Sequence, residues 1–226
     1  MASDDNASKY LLAPYFKDSD IPFVFCGLNW EAASYGLPFT NTTGMIEIDQ
    51  VETTYKLLRQ YAKGERIGFI GSNTLSGHKA VKHYQRILSH KFSSGRLVDN
   101  FEQFKEKYRQ LQTEVDMLFF LYPHGISGWD KETALKFILQ ESKIPSGASS
   151  EICTPYALLG NVGIAEEQGW WAGQAALKIL NGTRPDAIPV TTNKQSKLYL
   201  NMKLAKAMGI VFPMALIEKA IFVGDE

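Results

Sequence analysis

The chain has 226 residues, 45% hydrophobic and 12% aromatic, enough for one sizeable core or two smaller lobes and too apolar for wholesale disorder. Its 24 Lys and Arg balance 24 Asp and Glu, so no net field is available to hold a polyanion, which argues against nucleic acid as a partner. No apolar run approaches the roughly 20 residues of a membrane span, and Met1-Ala-Ser-Asp-Asp5 has neither the basic nor the apolar part of an export signal, so a soluble chain without one is expected.

Asp4, Asp5 and Asn6 precede an apolar-rich segment, Tyr10 to Phe16, that reads as a short helix with an acidic or Asn cap, stopped near Pro14. Ile21 to Leu28 is a near-continuous apolar run of strand length, the pattern of a buried parallel strand. Asn29-Trp30-Glu31 follows its C-terminal end, and Tyr35-Gly-Leu-Pro-Phe39 reads as a loop before Thr43-Gly-Met-Ile46. Asp49 is expected to cap a helix with Val51, Tyr55, Leu58 and Tyr61 or Ala62 on one face, ending at Lys63-Gly64. Ile67 to Ile70 is the next strand, and Gly71-Ser-Asn-Thr74 leads into a helix over His78 to Leu88.

Arg96 to Val98 reads as a weak strand, and Phe101, Phe104, Tyr108 and Leu111 as one helical face. Val115 to Leu121 is the strongest buried strand, ending at Tyr122-Pro-His-Gly125. Trp129-Asp130 opens a helix with Ala134, Phe137 and Ile138 inward; Ile144-Pro145 starts a short strand that runs out at Ser149-Ser150-Glu151, and Tyr156 to Leu159 is another. Gly169 to Leu180 is a helix stopped by Gly182 and Pro185. Beyond it Pro189 permits only an edge or irregular segment, Leu198 to Leu200 is β-type, and Met202 to Met208 is a short helix closed by Gly209 and Pro213.

Alternation of β and α with short connections argues parallel sheets covered by helices on both faces. In such sheets ligands sit at the carboxyl ends of strands, where helix N-termini and free backbone amides converge. The strand-end residues are therefore the candidates: Asn29 and Trp30 after the run at 21–28, and Ser72, Asn73, Tyr122, His124 and Ser150 after later strands. An amide, an indole and a carboxylate at Asn29-Trp30-Glu31 suit an amphipathic small molecule, the indole stacking and Glu31 pairing an ammonium; alternatively Trp30 packs on the lobe surface and Glu31 is solvated. His124 either hydrogen-bonds a ligand or closes a turn.

Other chemistries lack their signatures. Gly71 to Lys79 has the setting of a phosphate loop but the wrong glycine spacing, and Ala80 stands where a hydroxyl would hold magnesium. His78, His83 and His90 are expected at solvated helix positions, no histidine pair has zinc-helix spacing, and no nucleophile elbow occurs, so neither metal, cofactor nor enzymatic activity is expected. Cys26 and Cys153 read as buried thiols, with a disulfide left open, and Trp170 and Trp171 as one core and one surface residue.

The tail, with Ile188-Pro-Val190, Leu200-Asn201, Ala205, Ala207-Met-Gly209 and Pro213, resembles the C-terminus of ABC-transporter substrate-binding proteins of the tryptophan- and tyrosine-binder type. The likeness continues upstream through Ile21-Pro-Phe-Val-Phe-Cys-Gly27, Thr43-Gly44, Arg66-Ile-Gly-Phe-Ile70, Val115-Asp116 and Ile144-Pro145. It implies an α/β fold of two parallel-sheet lobes joined by a hinge, like a type 1 periplasmic binding protein. Lobe 1 is placed at residues 1–48 with 154–196, and lobe 2 with the crossover tail at 49–153 with 197–226. The chain resembles one starting just after the third strand of its first lobe, at Asp4-Asp5-Asn6, so that lobe is expected to be incomplete, and the resemblance adds Asp5 and Asn6 of that strand end to the ligand-binding candidates. The strands at 21–28 and 156–160 would then offer unpaired edges and a route to self-association. The implied role is capture of an aromatic or related amino acid in the inter-lobe cleft for an ABC permease, in the periplasm or otherwise outside the cytoplasm. The alternatives are a sensing module with a signalling partner, and a truncated, non-binding remnant.

Overall fold

The computed structural model describes residues 1–89 and 91–224, so the expectation for His90 lies outside the described residues. The first elements are β1 (Ala2–Ser3), α1 (Asp4–Ala7), α2 (Ala13–Phe16), β2 (Phe23–Asn29), β3 (Thr42–Glu47) and α3 (Val51–Leu58). There follow β4 (Ile67–Ser72), α4 (Leu75–Ile87), β5 (Phe92–Val98), α5 (Phe101–Glu114), β6 (Met117–Phe120), α6 (Lys131–Glu141), β7 (Ser146–Ala148) and β8 (Leu159–Gly163). The last are α7 (Ala165–Leu180), β9 (Thr191–Thr192), β10 (Ser196–Asn201), α8 (Met202–Ala207), α9 (Met214–Ile217) and β11 (Ala220–Val223). The chain forms two units, Met1–Asp49 with Gly163–Ser196 and Gln50–Val162 with Lys197–Glu226.

The first unit holds a sheet of order β1-β2-β3-β9, its neighbouring strands paired parallel. Along β2, Phe23 and Phe25 meet Leu12, Leu37 and Phe39 on one face, while Val24 and Cys26 meet Ala172 and Ala175 of α7 on the other. A strict period of two would send Leu28 to the α7 face. Instead Gly27, at φ +65°, carries a bulge that shifts the register between Phe25 and Leu28, and Leu28 joins Phe25. A run apolar on every residue thus serves two cores at once.

The first helix begins earlier than its apolar pattern indicates. Asp4 and Asp5 lie inside α1 instead of capping a later helix, and a π turn over Ser8–Leu12 carries the helix into α2. The widened turn gives room for Pro14, which donates no backbone N–H and crowds the preceding turn. Asp49 does not cap α3: the N-cap is Gln50, and the helix ends at Leu58 in tight i→i−3 bonds from Gln60 and Tyr61, short of Lys63-Gly64.

The second unit holds a seven-stranded sheet of order β11-β10-β8-β7-β6-β4-β5. All four residues of β6 are buried, as a central strand covered on both faces requires. Phe101, Phe104 and Tyr108 of α5 pack with Phe120, Trp129 and Phe137 into one aromatic cluster, with Phe104 4.9 Å from the Trp129 ring. Helices α4, α5 and α6 start at Thr74, Asn100 and Asp130, whose side chains accept the N–H of Gly77, Gln103 and Thr133.

Tyr156 to Leu159 is not the strand expected there. Residues Glu151–Tyr156 form a 3₁₀ turn around Pro155, and the strand starts at Leu159. That strand, β8, pairs Leu159 with Gly147 of β7, which draws residues 154–162 into the second unit and not the first. Nor do the two strands named as open edges stand open: β2 lies between β1 and β3, and β8 between β7 and β10. β11 follows Pro213 and α9, in a stretch where the sequence pattern predicts no strand. Cys26 and Cys153 are buried and form no disulfide.

Candidate functional site

In the first unit, parallel pairing brings the C-terminal ends of β1, β2 and β3 to one edge, with Ser3 opposite Cys26 and Asn29 opposite Glu47. The Asp5 carboxylate, just past β1, accepts the Asn29 amide at 2.6 Å and the Tyr35 hydroxyl at 2.9 Å. Trp30 sits at φ +63°, a conformation costly for an aromatic residue. It is held there by its own N–H to the Glu47 carbonyl at 2.8 Å and by its indole N–H to Asp49 at 3.4 Å. Glu31 accepts the Ser34 hydroxyl at 2.7 Å.

Behind this shelf stands Gln168 of α7, buried to 6% exposure, whose Oε1 accepts the Gly27 N–H at 2.7 Å and whose side chain hydrogen-bonds Glu47. Burial pushes the Glu47 carboxyl above its ordinary range, the Gln168 bond opposes that, and the charges of Asp5 and Asp4 add to it. Tyr35 is pushed up to about 12, first by burial and then by its bond to Asp5. The edge is thus an acidic shelf with one indole at its rim.

In the second unit the matching edge gathers the ends of β4, β6, β7 and β8. Ser72 is buried, donates its N–H to the Tyr122 carbonyl at 3.1 Å and shares a hydroxyl bond with Thr74 at 3.1 Å. The Asn73 amide is engaged at both ends, with Asp99 at 2.9 Å and His78 at 2.8 Å. Gly77 is needed one turn on, because a Cβ there would stand 2.1 Å from the Ser72 carbonyl oxygen. Ser149 and Thr54 share a hydroxyl bond at 3.3 Å, and Thr54 accepts the Asn161 N–H at 3.2 Å. The Asn161 Nδ2 is buried without a hydrogen-bond partner among the described residues, on a strand that ends at the same edge.

The structure therefore joins Asp5, Asn29 and Trp30 on one shelf, with Asn6 exposed in the same helical turn as Asp5. Ser72 and Tyr122 are adjacent through their backbones; Asn73 follows directly, Ser150 opens the 3₁₀ turn after β7, and His124 is exposed beyond Pro123. His83, expected in solvent, is 7% exposed, with its Nδ1 3.2 Å from the Arg86 guanidinium. Among the described residues no group of His, Cys, Asp and Glu is arranged to hold a metal, and no helix is long and apolar enough to cross a membrane.

Glu47, Tyr35, Gln168 and Asn161 join the candidates only in the folded chain. Glu47 carries the signal that found Asn29, a polar residue ending a β-type run. Gln168 has none, lying 141 residues from the Gly27 N–H it accepts.

The model of the family "ABC transporter substrate binding protein" matches residues 10–223. The chain belongs to this family. No curated protein matches the binding protein's sequence. Among solved structures, a ligand-free, open substrate-binding protein with adhesive properties from Clostridium difficile is 22% identical, with TM-score 0.76 over 100% of this chain and 77% of that one. An ABC domain from Streptococcus pneumonia in complex with L-Trp is 17% identical, with TM-score 0.61 over 98% of this chain and 78% of its own. A conserved domain protein from Vibrio cholerae gives the same identity and TM-score over 98% and 76%. These likenesses show the fold: α/β, with parallel sheets of the periplasmic-binding-protein kind. Family membership supports a solute-binding role, with a small-molecule ligand and an ABC transporter as partner, and the family is generally extracytoplasmic.

Proposed function

We propose that this binding protein captures a small solute carrying an ammonium group and a flat apolar group, of the aromatic amino acid class, for an ABC uptake system outside the cytoplasm. The observation that carries the reading is the convergence of Asp5, Glu47 and Trp30 on one strand-end edge of the first unit. Carboxylates there favour a cation, and the Trp30 indole, kept in a strained backbone conformation, offers a face for stacking. Asp5, Asn29 and Trp30, with Glu47 added and Asn6 beside them, are the proposed contacts of this unit. Ser72, Asn73, Tyr122, His124 and Ser150 remain the proposed contacts of the second. The L-Trp complex of the streptococcal neighbour makes tryptophan the first ligand to try.

Isothermal titration calorimetry with L-tryptophan, L-tyrosine and a deaminated indole acid tests this directly. Binding of an amino acid and not of the deaminated acid is expected. Equal heats from both would remove the ammonium from the account, and silence from every aromatic amino acid at millimolar concentration would remove the ligand class.

Glu47 gives a second check through pH. Its folded-state pKa lies above the ordinary 4.5, so its contribution to stability is whole below that value and is lost as pH rises through the raised one. Glu47→Gln is therefore expected to lose less melting temperature than the native protein between pH 4 and neutrality. Parallel melting curves across that window would show that burial does not tax this carboxylate.

A further inference from the structure

Helix α7 has two apolar faces. Its inner face buries Ala172 and Ala175, with Trp171 and Ile179 packed beside them on Val24 and Cys26. The opposite face carries Glu166, Trp170, Gly173, Leu177 and Leu180, at successive spacings of four, three, four and three residues. That is the a/d repeat of a two-stranded coil, here turned to solvent. Trp170 is 69% exposed, Leu177 54% and Leu180 82%. A Cβ at Gly173 would meet nothing within 4 Å, so the molecule itself has no packing need for this glycine. A mid-helix glycine is less favourable than alanine, because it has more backbone freedom to lose.

We propose that this seam is a self-association surface on which α7 of a second copy lies antiparallel. The charges decide the partner and the direction. Glu166 and Glu167 occupy the first turn and Lys178 the last, so antiparallel helices set each acidic end against a basic end and oppose their dipoles, whereas parallel helices stack like on like. The same arrangement places Trp170 opposite Leu180 and Gly173 opposite Leu177, a small residue facing a large one in the central layers. A twofold axis makes one patch its own complement. One helix pair lies at the low end of interface size, so the dimer is reversible and concentration-dependent. The inference is independent of which solute is bound.

Sedimentation velocity from the micromolar to the sub-millimolar range is expected to show a monomer–dimer equilibrium. Leu177→Glu, at an exposed position, should weaken it at least tenfold while leaving thermal unfolding unchanged, and Trp170→Ala should act in the same direction. Oxidising a mixture of Gly173→Cys and Leu177→Cys chains should join one variant to the other, the native Cys26 and Cys153 being buried. A protein monomeric at every concentration, or a dimer indifferent to Leu177→Glu, overturns the proposal. Cross-links of each variant only with itself overturn the antiparallel arrangement.

Discussion

Asp5→Ala is expected to weaken binding of an aromatic amino acid by on the order of a hundredfold, about 2 to 3 kcal/mol. The carboxylate does two things at once: it presents negative charge at the strand ends, and it holds Asn29 at 2.6 Å and Tyr35 at 2.9 Å. Truncation removes the charge and leaves two polar groups without the acceptor that orients them. Asp5→Asn separates the effects, because it retains an acceptor oxygen and lacks the charge. Tyr35 reports the change without a ligand. Its pKa of about 12 should fall towards the ordinary 10.0 in Asp5→Ala, and only part of the way, since burial is the larger cause. Tyrosinate absorbance across an alkaline titration measures that shift. Unchanged affinity in Asp5→Ala, with Tyr35 shifted as expected, would mean that the shelf is structural and the solute binds elsewhere.

Phe104→Ala should cost about 3 to 5 kcal/mol, the largest loss of stability foreseen for a single substitution. Phe104 has no exposed surface and lies 5.4 Å from Tyr108, 5.7 Å from Phe120 and 4.9 Å from Trp129. Its removal leaves a cavity walled by rings from α5 itself, from β6 and from the segment just before α6, and rigid rings close a gap poorly. Four tryptophans are present, and Trp129 is the one in the second unit. The difference between denaturant curves of the protein and of a Trp129→Phe background therefore isolates this core. Phe104→Leu, which refills part of the volume, should recover roughly half of the loss. A loss below about 1 kcal/mol in the alanine variant would show that the cluster is not a packed core.

Residue pattern reached a good part of this protein. The four-residue core of β6, the inward face of α5 and the opening of α6 at Asp130 follow from local periodicity and from a side chain that bonds an amide three residues on. The strand-end rule reached Asn29 and Trp30 because it needs only the position of a polar residue after an apolar run, whereas Asp5 follows no such run and came from the family resemblance. Glu47 obeys the same rule, but Gly44 interrupts the apolar pattern of Thr43-Gly-Met-Ile46 that would mark its strand.

What the sequence determined by itself was the parallel α/β class and the family, since both rest on the order of short segments whose hydrogen bonds and apolar faces are local. Tertiary structure alone decided that β8 joins β7, that a bulge at Gly27 hands Leu28 to the opposite core, and that Gln168 reaches Gly27 and Glu47. Each of these depends on a partner distant along the chain or on a single backbone turn to positive φ, and neither leaves a periodic trace among neighbouring residues.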